Sequence, residues 1–94
     1  MKRNVLAIAV GLALAVGGCQ PTVKRVCGHL EDASCDVPYH DCVDDGEALE
    51  ERAAERSCSD LFGEYLSCID DAGCAYESVC EIEAEAVFDC VSAE

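Results

Sequence analysis

Nine cysteines in a chain of only 94 residues constrain its fold more than any other feature of the sequence. A chain this short buries little apolar surface, and crosslinks commonly supply the missing stability. Each disulfide contributes about 2–4 kcal/mol by restricting the unfolded chain, so several are comparable with the whole stability of an ordinary domain. We therefore expect a small disulfide-stapled domain, formed in an oxidising compartment, that unfolds on reduction.

The first nineteen residues have the layout of an export signal. Lys2 and Arg3 form a positive n-region, and residues 5–16 form an apolar h-region that is short for a bilayer span. The segment ends in Val16-Gly17-Gly18-Cys19, which resembles a bacterial lipobox. That resemblance implies a diacylglycerol on Cys19, removal of residues 1–18 and an acyl chain such as palmitate on the new amino terminus. The alternatives are an ordinary cleaved signal or an anchor that stays in place.

Removing the lipobox cysteine from the count leaves eight cysteines, an even set that can pair completely. The chain therefore resembles the small cysteine-rich bacterial lipoproteins, and the resemblance implies a membrane partner through the N-terminal lipid and a place in the cell envelope. Asp commonly follows the lipidated cysteine of lipoproteins retained at the inner membrane. Gln20 therefore favours the outer membrane in a host with two membranes, and the outer face in a host with one.

The charge of the chain limits its partners. The formal net charge is -14, and loss of Lys2 and Arg3 with the signal makes it -16. No Lys or Arg follows Arg56, so the C-terminal half presents carboxylates only. Nucleic acid and anionic lipid headgroups are poor partners for such a surface. An envelope protein, a basic partner or a divalent cation remains compatible, although acidity that only keeps the domain soluble is the simpler interpretation.

The mature part divides into a lipidated N-terminus with a short linker, residues 19–23, and one cysteine-rich domain, residues 24–94. Helical spacing predicts a short helix over residues 24–32 and a second helix towards Arg56, started by Asp36 as the cap and Pro38 in its first turn. Ser57 and Asp60 resemble a capping box that opens a third helix, ended by Gly73. A fourth helix is predicted from about Ala75 to Ser92, with Val79 on its apolar side. The predicted fold is all-α, a small bundle of three to four helices.

Two C-x9-C spacings predict how the last two helices pack. Cys58 and Cys68 lie on one helix, and Cys80 and Cys90 lie on the next. Ten positions advance about 15 Å along a helix and return within roughly 80° of the same face, so both cysteines of a pair can face one neighbour. Folding the helices into an antiparallel hairpin pairs Cys58 with Cys90 and Cys68 with Cys80. The arrangement resembles the twin C-x9-C helical hairpin of small mitochondrial proteins, in geometry and not in function.

In this register the residue numbers of facing partners sum to 148. Tyr65 then faces Glu83, which falls inside the apolar stripe. Either the Tyr65 hydroxyl hydrogen-bonds this carboxylate, or Glu83 extends past the edge of the hairpin into water, which is the favoured alternative. Cys74 lies in the turn of the hairpin and has three possible partners, with the remaining two pairing together: Cys27, Cys35 and Cys42.

Two acidic ridges step by four residues along predicted helices. The first ridge is Glu47-Glu51-Glu55, and the second is Glu77-Glu81-Glu85-Asp89. Like charges at this spacing repel, and a cation or a basic partner would relieve the repulsion. The simpler interpretation is a solvated helix surface.

No motif predicts an enzyme, a cofactor or a built metal site. The cysteines lack the C-x2-C spacing of zinc sites and of thiol oxidoreductases, and neither His29 nor His40 lies in a catalytic motif. The sequence therefore predicts a non-catalytic interaction module, with cation or small-ligand binding on the acidic ridges as the alternative.

Overall fold

The computed structural model describes residues 21–93, so the predicted signal peptide and Cys19 lie outside the described residues. Within this range the chain is helical and contains no strand, which confirms the predicted all-α fold. A single 3₁₀ turn, Gly73–Ala75, follows the third helix. The helices, which we number in chain order, are α1 (Val23–Asp32), α2 (Tyr39–Glu55), α3 (Ser59–Ala72), α4 (Tyr76–Val79) and α5 (Glu81–Ser92).

Helix α1 begins inside the segment that the sequence predicts to be linker. The Thr22 side chain caps it by accepting a hydrogen bond from the Arg25 N–H at 3.1 Å. Val23 is the first helical residue and is only 4 % exposed, because it packs in the core with Val26, Cys27 and Leu30. The folded domain therefore starts at the position where the linker was expected to end.

The predicted start of α2 is wrong in one respect. Pro38 occupies the N-cap position, and no side chain hydrogen-bonds there, so Asp36 does not cap the helix. Pro38 has the extended backbone that proline favours, with φ −62° and ψ 130°, and its missing N–H costs nothing ahead of the first turn. The fixed φ of the proline, and not a side-chain cap, marks the point at which this helix can begin.

Helices α1 and α2 end in the same way, and this corrects the predicted capping box at Ser57. Ser34 and Ser57 follow their helices with φ of 63° and 61°. The next residue in each case donates its N–H back across the last turn, from Cys35 to the Leu30 carbonyl at 3.0 Å and from Cys58 to the Ala53 carbonyl at 2.6 Å. This is the Schellman arrangement. Ser57 therefore terminates α2, and Cys58 is the residue that precedes α3.

Helices α3 and α5 form the predicted antiparallel hairpin. Disulfides join Cys58 to Cys90 and Cys68 to Cys80, which are the two pairs given by the register. Gly73 ends α3 with φ 66°, as predicted, a conformation that glycine adopts without steric cost.

The predicted continuous last helix is broken at Cys80. Its backbone leaves the helical region, with φ −102° and ψ 24°, and separates the single turn of α4 from α5. The break leaves Cys80 fully buried in its disulfide, whereas Val79, which was expected on the apolar side, is 60 % exposed. Periodicity alone missed the break because Cys80 fits the helical pattern on either side.

The other two disulfides settle the pairing that the sequence left open. Cys27 joins Cys42 and thereby links α1 to α2, whereas Cys35 joins Cys74 and links the loop after α1 to the 3₁₀ turn. Helices α1, α2 and α3 pack against one another, and α5 packs on α3 and α2. The core at their junction comprises thirteen buried apolar residues, among which Val26, Val87 and Val91 are the largest of those almost completely enclosed.

Candidate functional site: an apolar groove with an acidic rim

A groove of about 420 Å³ lies where α1, α2 and α3 meet α4. The aliphatic side chains of its floor come from three helices: Val23, Val26 and Leu30 of α1, Leu49 of α2, and Leu66 and Ile69 of α3. These residues follow helical spacing, and their packing around the Cys27–Cys42 disulfide leaves the space open. We call this cavity the groove.

Three aromatic residues line the groove beside the aliphatic floor. Tyr65 and Phe88 meet edge to face with their ring centroids 6.0 Å apart, and Phe88 remains 46 % exposed. Tyr76 belongs to α4, which is held in place by disulfides at Cys74 and Cys80. Exposed aromatic surface beside an apolar cavity is typical of sites that bind a partner.

Four carboxylates line the groove, and we call them the rim: Asp36, Asp41, Asp45 and Glu77. Asp36 precedes α2, Asp41 and Asp45 lie in its first two turns, and Glu77 belongs to α4. None of the four has a basic group within 4.0 Å among residues 21–93, and no Lys or Arg lines the groove.

Burial and the nearby negative charge both raise the pKa values of two tyrosines in the groove. Burial raises the pKa of Tyr65 above 10.0, and the neighbouring Tyr76 and Glu77 raise it further. Burial and the Glu77 carboxylate also raise the pKa of Tyr76. The proximity of Glu77 makes ionisation of both phenols less favourable, so this end of the groove attracts positive charge and disfavours negative charge.

The predicted cation sites are not assembled into a metal centre. All seven ridge carboxylates are exposed, and the break at Cys80 separates Glu77 from the rest of the second ridge. Across the described part of the chain, no three His, Cys, Asp or Glu residues are grouped so that they could hold a metal ion. Cation binding along the ridges stays a prediction, and calorimetry with calcium tests it.

Of the two alternatives for Glu83, the disfavoured one does not occur, because no hydrogen bond joins Tyr65 and Glu83 within residues 21–93. Tyr65 instead contacts Phe88, while Glu83 lines a separate and more open depression with Glu64 and Ser67. Helix α5 therefore presents Phe88, and not Glu83, to Tyr65.

The sequence analysis also missed the pair between His29 of α1 and Asp70 of α3, whose Nδ1 and Oδ1 atoms are 2.7 Å apart. Helical spacing places each residue on its own helix but does not show which helices meet.

No helix within residues 21–93 is both long and apolar enough to cross a bilayer. The sequence matches no family model, no curated protein and no solved structure.

Proposed function

We propose that this protein is a lipid-anchored, non-catalytic protein of the cell envelope whose disulfide-stapled domain binds another protein through the groove. The groove is the observation that carries the proposal. Its apolar cavity and the exposed aromatic side chain of Phe88 beside it form the kind of combined apolar surface that often marks a binding site.

The anchor is proposed from Val16-Gly17-Gly18-Cys19 and the segment before it. Only Gln20, Pro21 and Thr22 separate Cys19 from the first helical residue. Four residue steps, from Cys19 to Val23, span at most about 14 Å when extended, so an anchored domain would lie close to the lipid surface. Since Val23 itself lines the groove, a partner bound there would also lie near the membrane.

Four disulfides make the domain suitable for binding outside the cytoplasm. Every cysteine after Cys19 is paired, and the bridges link all the elements that line the groove. A crosslinked binding surface loses little conformational freedom when a partner docks, which favours affinity.

The anchor is tested by the intact mass of the membrane-extracted protein, measured before and after reduction and alkylation. We expect acyl chains on Cys19 and eight further thiols that become reactive only after reduction. A mass without lipid, or thiols that react without reduction, would refute the anchored disulfide domain.

Binding is tested by crosslinking intact envelopes that contain the full chain and isolating the crosslinked products. The variant compared with it is Phe88→Ala, which keeps the lipobox and all eight cysteines after Cys19 and removes only the exposed aromatic ring of the groove. We expect one or a few specific products with the native chain and loss of those products with the variant. Failure to recover any specific product would count against an interaction module.

A further inference from the structure

We infer that the groove binds a basic segment of a partner protein, which inserts one apolar anchor side chain between Tyr65 and the floor and places Lys or Arg side chains on the rim. This inference rests on the proposed function, because it names the class of partner for the same groove. The size of the cavity, the aromatic residues beside it and the charge of the rim support it.

The size of the cavity limits how much of a partner can enter it. Its volume of about 420 Å³ is small among binding sites for whole ligands, which have volumes of roughly 300–1,000 Å³. Cys27 and Cys42, which are joined by a disulfide, also line the cavity, so α1 and α2 are held together at this point. Binding surfaces commonly derive most of their affinity from a few such buried anchors.

The aromatic residues favour an anchor that is itself large and apolar. Phe88 is 46 % exposed and lies edge to face with Tyr65, which is half-buried. A side chain entering the cavity would cover the exposed part of Phe88 and remove apolar surface from water. Ile82 is more exposed, at 80 %, but it does not line the groove, which makes it a suitable control position.

The negative charge of the rim determines which side chains of a partner can lie beside the anchor. Asp36, Asp41, Asp45 and Glu77 all lack a basic partner within residues 21–93. A neutral or acidic segment would desolvate these carboxylates without compensation, whereas Lys or Arg side chains would pair with them. A cation near Glu77 would also lie in the neighbourhood of Tyr65 and Tyr76, and over the face of either ring it would gain cation–π attraction.

The same charges disfavour the other macromolecules. Nucleic acid and anionic bilayers both present phosphates, which the rim repels. A basic protein segment is the class of partner that combines an apolar anchor with positive charge.

The protein contains no tryptophan, and this permits a direct test. The probe is a short peptide with one tryptophan flanked by lysines, titrated with the full chain held in zwitterionic vesicles. Protein-free vesicles supply the background. Because all tryptophan emission comes from the probe, entry of the indole into the groove shifts the emission to shorter wavelength. We expect this shift with the lysine peptide and none with a peptide in which glutamates replace the lysines.

Matched variants separate the groove from general acidity. The rim variant is Asp41→Asn/Asp45→Asn/Glu77→Gln, and its control removes the same charge at exposed ridge positions, Glu51→Gln/Glu55→Gln/Glu81→Gln. We expect the rim variant to bind about tenfold more weakly and the ridge variant to bind nearly as well as the native chain. Phe88→Ala should weaken binding at least about fivefold, and Ile82→Ala should not. Circular dichroism and thiol counts verify that each variant is folded.

Equal weakening by the rim and ridge variants would show general electrostatic attraction and overturn the inference. Absence of binding by the native chain would overturn it as well. In either case, specific crosslinked products from intact envelopes would still support the proposed interaction module. They would show that the partner binds a surface other than the groove. Failure of both experiments would refute the proposed function itself.

Discussion

Gly28 and Gly46 lie in the interiors of neighbouring helices, yet substitution by alanine should have opposite effects. Gly28 belongs to α1 and Gly46 to α2. A Cβ atom on Gly28 would have nothing within 4 Å apart from its own helix. A Cβ atom on Gly46 would lie 2.7 Å from Cγ1 of Val23, a residue that is almost completely buried. Position 28 therefore has open space, whereas position 46 has no room for a side chain beside Val23 of α1.

The expected gain at Gly28 follows from helix propensity alone. Glycine in a helix interior is less favourable than alanine by about 1 kcal/mol, because it loses more backbone freedom on folding. Gly28→Ala should therefore raise the free energy of unfolding by about 1 kcal/mol, which corresponds to a rise in Tm of roughly 4–8 °C for a domain of this size.

The same gain is offset at Gly46 by the contact with Val23. Real Cβ atoms essentially never approach another carbon to 2.7 Å, so either α1 must move or the Val23 side chain must rotate. Overpacking of this kind costs about 1–3 kcal/mol. After the propensity gain of about 1 kcal/mol is subtracted, Gly46→Ala should lower the free energy of unfolding by up to about 2 kcal/mol.

Equilibrium unfolding in guanidinium chloride with the disulfides intact, followed by circular dichroism, measures both changes. A double-mutant cycle with Val23→Ala assigns the cause, because alanine at position 23 removes both Cγ atoms and leaves its Cβ at an ordinary 3.6 Å. In that background Gly46→Ala should become stabilising, as Gly28→Ala is in the native chain. If Gly46→Ala stabilises the native chain as much as Gly28→Ala does, the close approach of α1 and α2 is refuted.

Four further predictions follow from the helix ends, the tyrosines, the disulfides and the histidine pair. Ser34→Gly and Ser57→Gly should each raise the free energy of unfolding by about 0.5–1 kcal/mol in denaturant titrations, because both serines have φ near +60°; a loss of stability would exclude this backbone conformation. The pKa values of Tyr65 and Tyr76 are raised on folding, so the stability they contribute is present below pH 10.0 and is lost as the pH rises through their folded pKa values. Glu77→Gln should lower both pKa values towards 10.0 in a titration of tyrosinate absorbance, and unchanged values would show that Glu77 is not a neighbour. Under graded reduction with alkylation and mass mapping, the Cys35–Cys74 bridge should open first because Cys74 is exposed, whereas the other three bridges should open later because each contains a buried cysteine: Cys27, Cys58 or Cys80. Asp70→Asn and His29→Asn should each lower the free energy of unfolding by no more than about 1 kcal/mol, since His29 is half-exposed, and a coupling well above that value in a double-mutant cycle would contradict this weak surface pair.

The local pattern of the sequence predicts most of the helices and the hairpin that joins them. Cys58 and Cys90 pair as expected because the spacing within each helix and the antiparallel turn leave one simple register. Gly73 ends α3 as expected because the positive φ required there favours glycine. These predictions succeed because each depends on geometry within one or two consecutive helices.

The remaining features depend on contacts between distant parts of the chain. Ser57 fits a capping box in sequence, but the Schellman turn that ends α2 determines its backbone. The partner of Cys74 depends on where the loop after α1 lies relative to the hairpin, and no helical period reports this position. The groove could not be predicted from the sequence for the same reason, because its floor forms only where three helices meet.

The path of the Cys35–Cys74 bridge has a consequence for a molecule exposed to proteases. Cys27–Cys42 lies wholly within the α1–α2 half, and the two hairpin disulfides lie wholly within the α3–α5 half. In the described part of the chain, only Cys35–Cys74 joins the halves covalently apart from the backbone at residues 56–58. A chain cut in that loop would produce a two-chain molecule with its halves still tethered, and the two sides of the groove would not be released from each other.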